Sequence, residues 1–392
     1  MKKKLDITIL VLGLLLTAIG LAAINSAGDT RYLFRQLLFL PVATGSLLTA
    51  FFIPRRIIYG LAEALFAITI LLLILVLFVG AGPGSRRWFL LGPLSLQPSE
   101  LAKVTTVVML AKYLSIKRNL RLSFRDLTVP VLIVLTPALL IAVEPDLSTT
   151  IIFGAALAAM LYWQGLRPFH LLLLFMPLLS FGAGFALSIW IPFFVILAVI
   201  VFLRTTLVRG LVTLGVSSVF GLLSPVVLSL LKEYQRVRIH SFLAPWLDPH
   251  GMGWNAIQAQ ITIGSGRLIG KGYLHGTQTR LGFLPNRHTD FIFSVLGEEF
   301  GLVGSLTLLL LLGLLIQRFF RIGRQTRDQT GALLCIGFGA IIGYQAFVNI
   351  GMLLGLLPIT GVTLPFISYG GSSLLANFLM LGLVLNVASR PE

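Results

Sequence analysis

The sequence predicts an all-α polytopic membrane protein with about 10–12 transmembrane helices and a long extracytoplasmic loop that carries short amphipathic helices. Three observations lead to this fold class. Of the 392 residues, 57% are hydrophobic and only 11% are charged, which is more apolar than a soluble domain. The mean hydropathy is +0.96. Apolar stretches of about 20 residues, each long enough to cross a ~30 Å hydrocarbon layer as a helix, recur along the whole chain.

We expect one transmembrane helix for each apolar stretch, about twelve in all. The stretches lie at 7–26, 34–53, 57–80, 98–115, 127–143, 147–164, 169–187, 189–203, 210–231, 296–316, 332–356 and 370–388. The first is predicted to be a retained span, because it lacks a small-residue cleavage pattern and many further spans follow. Residues 1–392 are predicted to form a single membrane domain that includes the loop 231–295. The single cysteine, Cys335, excludes a disulfide framework.

The positions of Lys and Arg set the predicted orientation, because cytoplasmic loops collect these residues. If the N-terminus is inside, alternate loops and the C-terminus carry Arg55, Arg56, Lys117, Arg118, Arg121, Arg125, Arg167, Arg204, Arg209, Arg318, Arg321, Arg324, Arg327 and Arg390. Both termini are therefore predicted to be cytoplasmic. This distribution also explains the formal net charge of +16, which in a soluble protein would indicate a nucleic-acid partner.

Two loops on the predicted outer side are also basic. The loop 81–97 carries Arg86 and Arg87 beside Trp88, and the loop 231–295 has more basic than acidic residues. Its basic residues are Lys232, Arg236, Arg238, Arg267, Lys271, Arg280 and Arg287. Topology does not require positive charge on this side, so the charge indicates an anionic ligand. Contact with lipid headgroups is the alternative explanation.

The loop 231–295 is the strongest candidate for a functional segment, because loops of this length in compact proteins are usually functional or disordered. Its spread glycines predict tight turns and short amphipathic pieces. Asp290, just before a span, is the candidate general base, because partial burial raises a carboxylate pKa toward the working pH. The alternative is that Asp290 or Thr289 caps the helix that follows. Of Glu298 and Glu299, we expect one to pair with a cation and the other to stay near water.

Other motifs leave two interpretations open. Glu100 and Lys103, at i and i+3, either neutralise each other or allow Lys103 to meet a phosphate. The segment 144–147 is a two-carboxylate turn, with metal binding by Asp146 as the alternative. The small residues at 364–373 predict close helix packing. The histidines show no H-x₃-H spacing and no metal-ligand cluster is evident.

Several motifs in order along the chain resemble the SEDS family (shape, elongation, division and sporulation), and its RodA branch in particular. They are QPSELAK at 97–103, EPDLSTT at 144–150, YQR at 234–236, GKGYLHGTQTRLGFLPNRHTDFIFSVLGEEFGLVG at 270–304 and LPFISYGGSS at 364–373. The GTQ at 276–278 indicates the RodA branch. The resemblance covers the whole chain.

The resemblance implies a peptidoglycan glycosyltransferase for cell elongation and rod shape, in the inner membrane of a bacterium with its active site on the periplasmic or extracellular face. Its substrates would be lipid II, a disaccharide peptide linked to undecaprenyl pyrophosphate, and the nascent glycan strand. Its protein partner would be a class B penicillin-binding protein that acts as transpeptidase. It would also contact membrane lipids, and no nucleic-acid partner is implied. The resemblance makes Asp290 the catalytic residue. Candidate substrate-binding residues are Trp88, Glu100, Lys103, Arg236, Lys271, Arg280 and His288.

The chemistry implied is inverting transfer, because the donor sugar is α-linked and the polymer is β-1,4-linked. One base then suffices, and cations stabilise the pyrophosphate leaving group. The resemblance leaves open whether a divalent cation (Mg²⁺ or Mn²⁺) is a cofactor, and it implies no organic cofactor. The family usually has ten spans, whereas the sequence predicts two more within 169–231. A lipid II flippase and a non-catalytic scaffold are the competing functions; a flippase needs ionisable residues along a path at mid-membrane.

Overall fold

The computed structural model describes residues 6–28, 30–82, 86–92, 94–117, 124–230 and 252–389. Its helices are α1 (Ile7–Ser26), α2 (Thr30–Phe52), α3 (Arg55–Gly60), α4 (Ala62–Val79), α5 (Pro98–Ile116), α6 (Phe124–Val143), α7 (Leu147–Trp163), α8 (Pro168–Ala183), α9 (Leu187–Arg204), α10 (Leu207–Leu230), α11 (Met252–Ser265), α12 (Thr277–Leu281), α13 (Ile292–Gln325), α14 (Gln329–Leu353) and α15 (Gly371–Ala388). A short antiparallel hairpin, β1 (Phe89–Leu91) and β2 (Leu94–Leu96), precedes α5.

The predicted fold class is confirmed. Every predicted apolar stretch lies on a helix, and α3 and α4 share the third stretch. In the described part of the chain, nine helices are long and apolar enough to cross a membrane, and α7 and α8 include shorter apolar helices. Helix α5 is less apolar because it carries Glu100, Lys103 and Lys112. The long loop contains the two short helices α11 and α12, as predicted.

The chain divides into two compact units. The first comprises residues 1–164 and 241–392, and the second comprises residues 165–240, of which 165–230 are described. In the second unit, α8, α9 and α10 enclose a small core that includes Leu197 and Val201. A polar link crosses this core: the Trp190 indole donates to Ser180 Oγ (2.9 Å), which donates to the Ser217 carbonyl (2.6 Å). This unit holds the three helices predicted for 169–231.

Close packing in the first unit depends on glycine. Helices α14 and α15 are the most buried spans among the described residues. A Cβ at Gly371 would lie 2.2 Å from the Phe39 ring, and one at Gly382 would lie 2.4 Å from the Leu47 carbonyl. Helices α2 and α15 therefore approach each other at glycine positions, which confirms the small-residue packing predicted for the segment 364–373.

The end of α15 is tied to the end of α2 by polar contacts. Asn386 Nδ2 donates to the carbonyls of Ala50, Phe51 and Ile53 at 2.7–3.0 Å. Arg55 Nη2 donates to the carbonyls of Asn386 (3.1 Å) and of the residue after it. These donors satisfy carbonyls that the helix ends leave unpaired, so the C-terminal ends of α2 and α15 are fixed to each other.

Candidate active site

Asp290 lies in a turn between the long loop and α13, and its backbone is fixed from the core. Asn349, which is fully buried on α14, donates through Nδ2 to the Asp290 carbonyl (2.9 Å) and to the Val362 carbonyl (2.6 Å). The Asp290 side chain is half-buried. A Cβ at Gly361 would lie 3.3 Å from Asp290 Oδ2, so the carboxylate lies against the segment that connects α14 to α15.

The N-cap position of α13 is not occupied by Asp290 or Thr289, the two residues considered for the helix cap. The N-cap residue of α13 is Phe291, and no side-chain cap bond is formed there. Thr289 Oγ1 donates instead to the Asn286 carbonyl at 3.1 Å. The N-cap position thus lies one residue after Asp290, and a capping role for Asp290 stays a prediction that the Asp290→Asn variant tests.

His288 lies in an aromatic cluster that sequence reasoning missed. Its ring stacks on Tyr32 of α2 (3.6 Å between centroids) and meets the edge of Tyr369 (5.7 Å). The Tyr369 amide donates to the His288 carbonyl (2.9 Å), and Ser368 Oγ donates to the Thr289 carbonyl (2.7 Å). Burial raises the pKa of Tyr369, and the adjacent Arg35 opposes that rise. The two motifs 288–290 and 364–373 thus form one site.

Arg87 is held by the turn 144–146. Its Nε donates to the Glu144 carbonyl (2.7 Å), its Nη2 donates to the Pro145 carbonyl, and its Nη1 lies 3.9 Å from Asp146 Oδ2. Asp146 caps α7 by accepting from the Thr149 amide at 3.2 Å. Trp88 follows Arg87, is half-buried and pairs through its backbone with Ala81.

Glu144 is a buried carboxyl group whose oxygens have no hydrogen-bond partner within the described chain. Burial, followed by the charge of Asp146, raises the pKa of Glu144 to about 8, and Arg87 opposes this rise. Ser148, in the same 144–150 motif, donates to the Thr360 carbonyl at 2.6 Å. Since residue 361 contacts Asp290, the 144–150 motif and the 288–290 motif flank the same segment.

Glu100 and Lys103 form a buried ion pair at the start of α5. Lys103 Nζ lies 2.7 Å from Glu100 Oε2, and the lysine side chain is 1% exposed. The pair is an electrostatic contact whose angles are not those of a hydrogen bond. The start of α5 is fixed because the Gln97 amide donates to Ser372 Oγ at 2.9 Å. Mutual neutralisation is thus what the structure shows, and contact of Lys103 with a phosphate would require this pair to open.

The basic residues of the long loop have different surroundings. Lys271 Nζ contacts Glu298 Oε1 (2.7 Å), Ser265 Oγ (2.9 Å) and Thr277 Oγ1 (2.7 Å). These acceptors occupy its three N–H donors, so contact with a substrate would require one of them to be released. Arg280 is exposed, and its side chain makes no hydrogen bond or ion pair with the described residues. Arg236 lies outside the described residues.

The pairing predicted for one of two glutamates is confirmed for Glu298. Glu299 does not stay near water: it is 1% exposed, and its Oε1 accepts from Ser26 Oγ and from the Leu274 amide (3.1 Å). The prediction for Glu299 is wrong because groups from α1 and from the long loop, distant in sequence, surround this side chain. The contact fixes the end of α1 to the loop.

A break in α13 at Gly301 (φ 63°, ψ −157°) explains the glycines of the loop. The break releases two carbonyls, at Glu298 and Glu299, and two amides, at Leu302 and Val303. The segment 267–272 takes all four: the amides of residues 271 and 272 donate to the carbonyls (3.0 and 2.9 Å), and the carbonyls of residues 267 and 268 accept from the amides (2.9 and 3.0 Å). A Cβ at Gly270 would lie 2.1 Å from the Glu299 carbonyl, so only glycine fits.

The described residues contain no group of three or more His, Cys, Asp or Glu side chains that could hold a metal ion. A protein-only metal cage is therefore not formed by this part of the chain. Mg²⁺ is commonly bound by one or two carboxylates together with substrate phosphates. The half-buried Asp290 and Asp146 are of the right chemical type for that mode.

Comparison with known proteins gives a consistent result along the whole chain. The family model of the FtsW, RodA and SpoVE cell cycle proteins matches residues 4–194 and 187–392. The peptidoglycan glycosyltransferase MrdB of Escherichia coli K12 is 36% identical over 336 residues, which cover 86% of this chain and 80% of MrdB.

Two solved structures match the fold. A chain from a peptidoglycan synthase complex, described for its coordination of polymerization and crosslinking, is 34% identical with a TM-score of 0.75, and the match covers 98% of this chain and 97% of that chain. The rod shape determining protein RodA of Thermus thermophilus is 30% identical with a TM-score of 0.66, and the match covers 98% and 96% of the two chains.

Proposed function

The chain belongs to the FtsW, RodA and SpoVE family, and from this premise we propose that it polymerises lipid II into β-1,4-linked glycan strands with Asp290 as the general base. The chain is an integral membrane protein and a peptidoglycan glycosyltransferase. The observation that carries the catalytic assignment is the setting of Asp290. Its side chain is half-buried and lies against the segment at Gly361, and its backbone carbonyl is held by Asn349 from the most buried part of the fold.

The reaction follows from the chemistry of the two linkages. Asp290 removes the proton from the 4-hydroxyl of the acceptor N-acetylglucosamine as that oxygen attacks the anomeric carbon of the donor. The new C–O bond forms on the face opposite the pyrophosphate, so the α-linked donor gives a β-linked product. The bond to the pyrophosphate oxygen breaks, and its electron pair leaves with undecaprenyl pyrophosphate. Partial burial makes proton transfer to a carboxylate more favourable by disfavouring its charged form.

Arg280 is the cation that we assign to the leaving group. It is exposed on α12, and its guanidinium matches the geometry of phosphate oxygens. Lys103 and Lys271 are already paired with Glu100 and Glu298. Replacing Arg280 with Ala should therefore reduce kcat/KM more than replacing either lysine does. Equal, wild-type kcat/KM for all three Ala variants would contradict a role for these cations.

Trp88, Arg87 and the His288 ring are proposed to contact the sugars or the pyrophosphate of the bound lipid. Their motifs flank the Asp290 segment, and aromatic faces are suited to contact with sugar rings. A divalent cation (Mg²⁺ or Mn²⁺) would be held by pyrophosphate oxygens and the nearby carboxylates. It would supply charge neutralisation at the leaving group, and no step above depends on it.

The proposed location is the bacterial cytoplasmic membrane, with cytoplasmic termini and the active site on the outer face. The basic residues of the predicted inner loops support this orientation. The proposed partner is a class B penicillin-binding protein with transpeptidase activity. The supporting observation is the fold match to a chain from a complex that couples polymerization to crosslinking.

Incubation of the purified protein with lipid II in detergent tests the proposal. We expect glycan polymer from the wild-type protein alone, and polymer from a complex with its transpeptidase at a similar or higher rate. After reconstitution into vesicles, transbilayer movement of lipid II without polymer would indicate a flippase. The absence of both activities in a folded, monodisperse preparation would indicate a scaffold, and either result would overturn the proposed function.

A further inference from the structure

Glu298 is the most extensively hydrogen-bonded carboxylate among the described residues. Its side chain is fully buried. Oε1 accepts from Lys271 Nζ (2.7 Å) and the Gln278 amide (2.9 Å), and Oε2 accepts from the Thr279 amide (3.0 Å) and the Thr279 hydroxyl (2.8 Å). Longer contacts to two further hydroxyls, from Ser265 and Thr277, complete its surroundings.

These contacts cap α12 from another helix. Gln278 and Thr279 are the second and third residues of α12, and their amides are the ones that an N-cap side chain normally accepts. The N-cap residue of α12 is Gly276, which has no side chain to do so. A Cβ at Gly276 would lie 2.8 Å from Glu298 Oε2. The glycine thus leaves room for the carboxylate that replaces its missing cap.

The same contacts continue to the turn that carries the base. The Thr279 carbonyl accepts from Arg287 Nη1 at 2.7 Å, and Arg287 Nε donates to the Ala27 carbonyl at the end of α1. Arg287 lies three residues before Asp290, and Arg280 follows Thr279 directly. One buried carboxylate therefore holds both the element that presents Arg280 and a residue of the Asp290 turn.

We propose that Glu298 is a positioning residue that caps α12 from α13 and thereby sets the distance between Arg280 and Asp290. The proposal rests on the proposed function, in which these two residues serve the leaving group and the acceptor hydroxyl. Lys271 neutralises the charge of the buried Glu298 carboxylate. Because both placements matter chiefly in the transition state, loss of Glu298 affects kcat more than KM.

The test compares Glu298→Gln with the double variant Glu298→Gln/Lys271→Met. The single variant leaves Lys271 facing an uncharged amide and should lower Tm. The double variant removes that unpaired cation, while α12 still lacks one of the two oxygens that accept from its amides. We expect its Tm to recover toward the wild-type value, its kcat for lipid II polymerisation to be about 10–100-fold below wild type, and its KM to change less than about threefold. Recovery of kcat together with Tm would overturn the proposal, because a merely structural role predicts that recovery.

Two further measurements keep the outcome decisive. Hydrogen exchange at the amides of residues 278 and 279 should accelerate at least tenfold in Glu298→Gln and in the shorter Glu298→Asp, which retains the charge and the pair with Lys271. Unchanged exchange in both variants would overturn the cap. The control is Glu63→Gln, which removes a carboxylate from the partly exposed ion pair with Lys112. It should change neither the kcat for lipid II polymerisation nor the hydrogen exchange at residues 278 and 279. If wild-type protein makes no polymer, the proposed function fails while the exchange measurement still decides the cap.

Discussion

Replacement of Asp290 by Asn separates a catalytic role from a structural one. Asparagine keeps the size of the side chain but cannot accept a proton effectively at neutral pH. Asn349 fixes the backbone at this position by donating to the Asp290 carbonyl at 2.9 Å, and this contact does not depend on the side chain of residue 290. The α13 cap is also unaffected, because the N-cap residue is Phe291. We therefore expect folding to be preserved.

The expected magnitude follows from these contacts. Removal of a general base costs roughly 10²–10⁴ in rate, which corresponds to about 2.7–5.5 kcal/mol in the barrier. The change in the free energy of unfolding should stay below about 1 kcal/mol, because asparagine has nearly the same size and keeps a side-chain oxygen that accepts hydrogen bonds. Asp290→Glu should also lose activity, because it moves the carboxylate by about one methylene against the segment at Gly361.

The assay is single-turnover polymerisation of lipid II, with thermal unfolding measured on the same preparations. Asn349→Ala is the matched structural variant: it leaves the carbonyls of Asp290 and Val362 without their donor. It should lower stability by about 1–3 kcal/mol and activity together, whereas Asp290→Asn should lower activity alone. Near-normal polymer from Asp290→Asn would refute the base assignment, and a parallel loss of stability and activity would assign Asp290 a structural role.

Three further predictions follow from other parts of the chain. A cysteine at position 280 should react with an impermeant thiol reagent from outside the cell and one at position 325 should not; the native Cys335 is buried and gives little background, and the reverse pattern would invert the topology. Gly301→Ala should destabilise the protein by more than about 1 kcal/mol in thermal unfolding, because φ is positive and a Cβ would lie 2.4 Å from the Gly270 nitrogen; Gly313→Ala, with no atom nearby, should not. Glu144→Gln should stabilise the protein increasingly as the pH rises from about 4.5 toward 8. The pKa of Glu144 is raised to about 8 by burial, so the folded state retains a proton that the unfolded state releases, and stability falls across that range. A pH-independent difference in Tm would contradict this.

The membrane helices could be predicted because each required only local information. An apolar run of about 20 residues favours a helix in a bilayer, since a helix satisfies the backbone hydrogen bonds within one segment. The break in α13 could not be predicted in the same way. The run 296–316 is apolar from Phe300 onward, and glycine is common within spans. What breaks the helix is a segment about 30 residues earlier, 267–272, that supplies replacement hydrogen bonds.

The candidate site could be predicted only in part, because some of its residues are recognisable locally and others only by contacts between distant helices. Asp290 stood out because a carboxylate at the start of a span is costly unless it is used. Tyr32, Asn349 and Tyr369 did not stand out, because their side chains acquire a role only where distant helices meet. The partner of Lys271 lies 27 residues away along the chain. Sequence alone therefore did not distinguish a paired cation from an exposed one such as Arg280.

The proposed base and the proposed cation are held by different parts of the molecule. The Asp290 turn is fixed by Asn349 and by the segment 364–373, which join the most buried spans. Arg280 is carried by a helix of five residues whose N-terminus depends on the Glu298 carboxylate. Transfer requires the base to be placed within hydrogen-bond reach of one hydroxyl, so rigidity there favours reaction. A leaving group that must depart after each addition is better served by an exposed cation on a small element, because a fully buried one would retain the product.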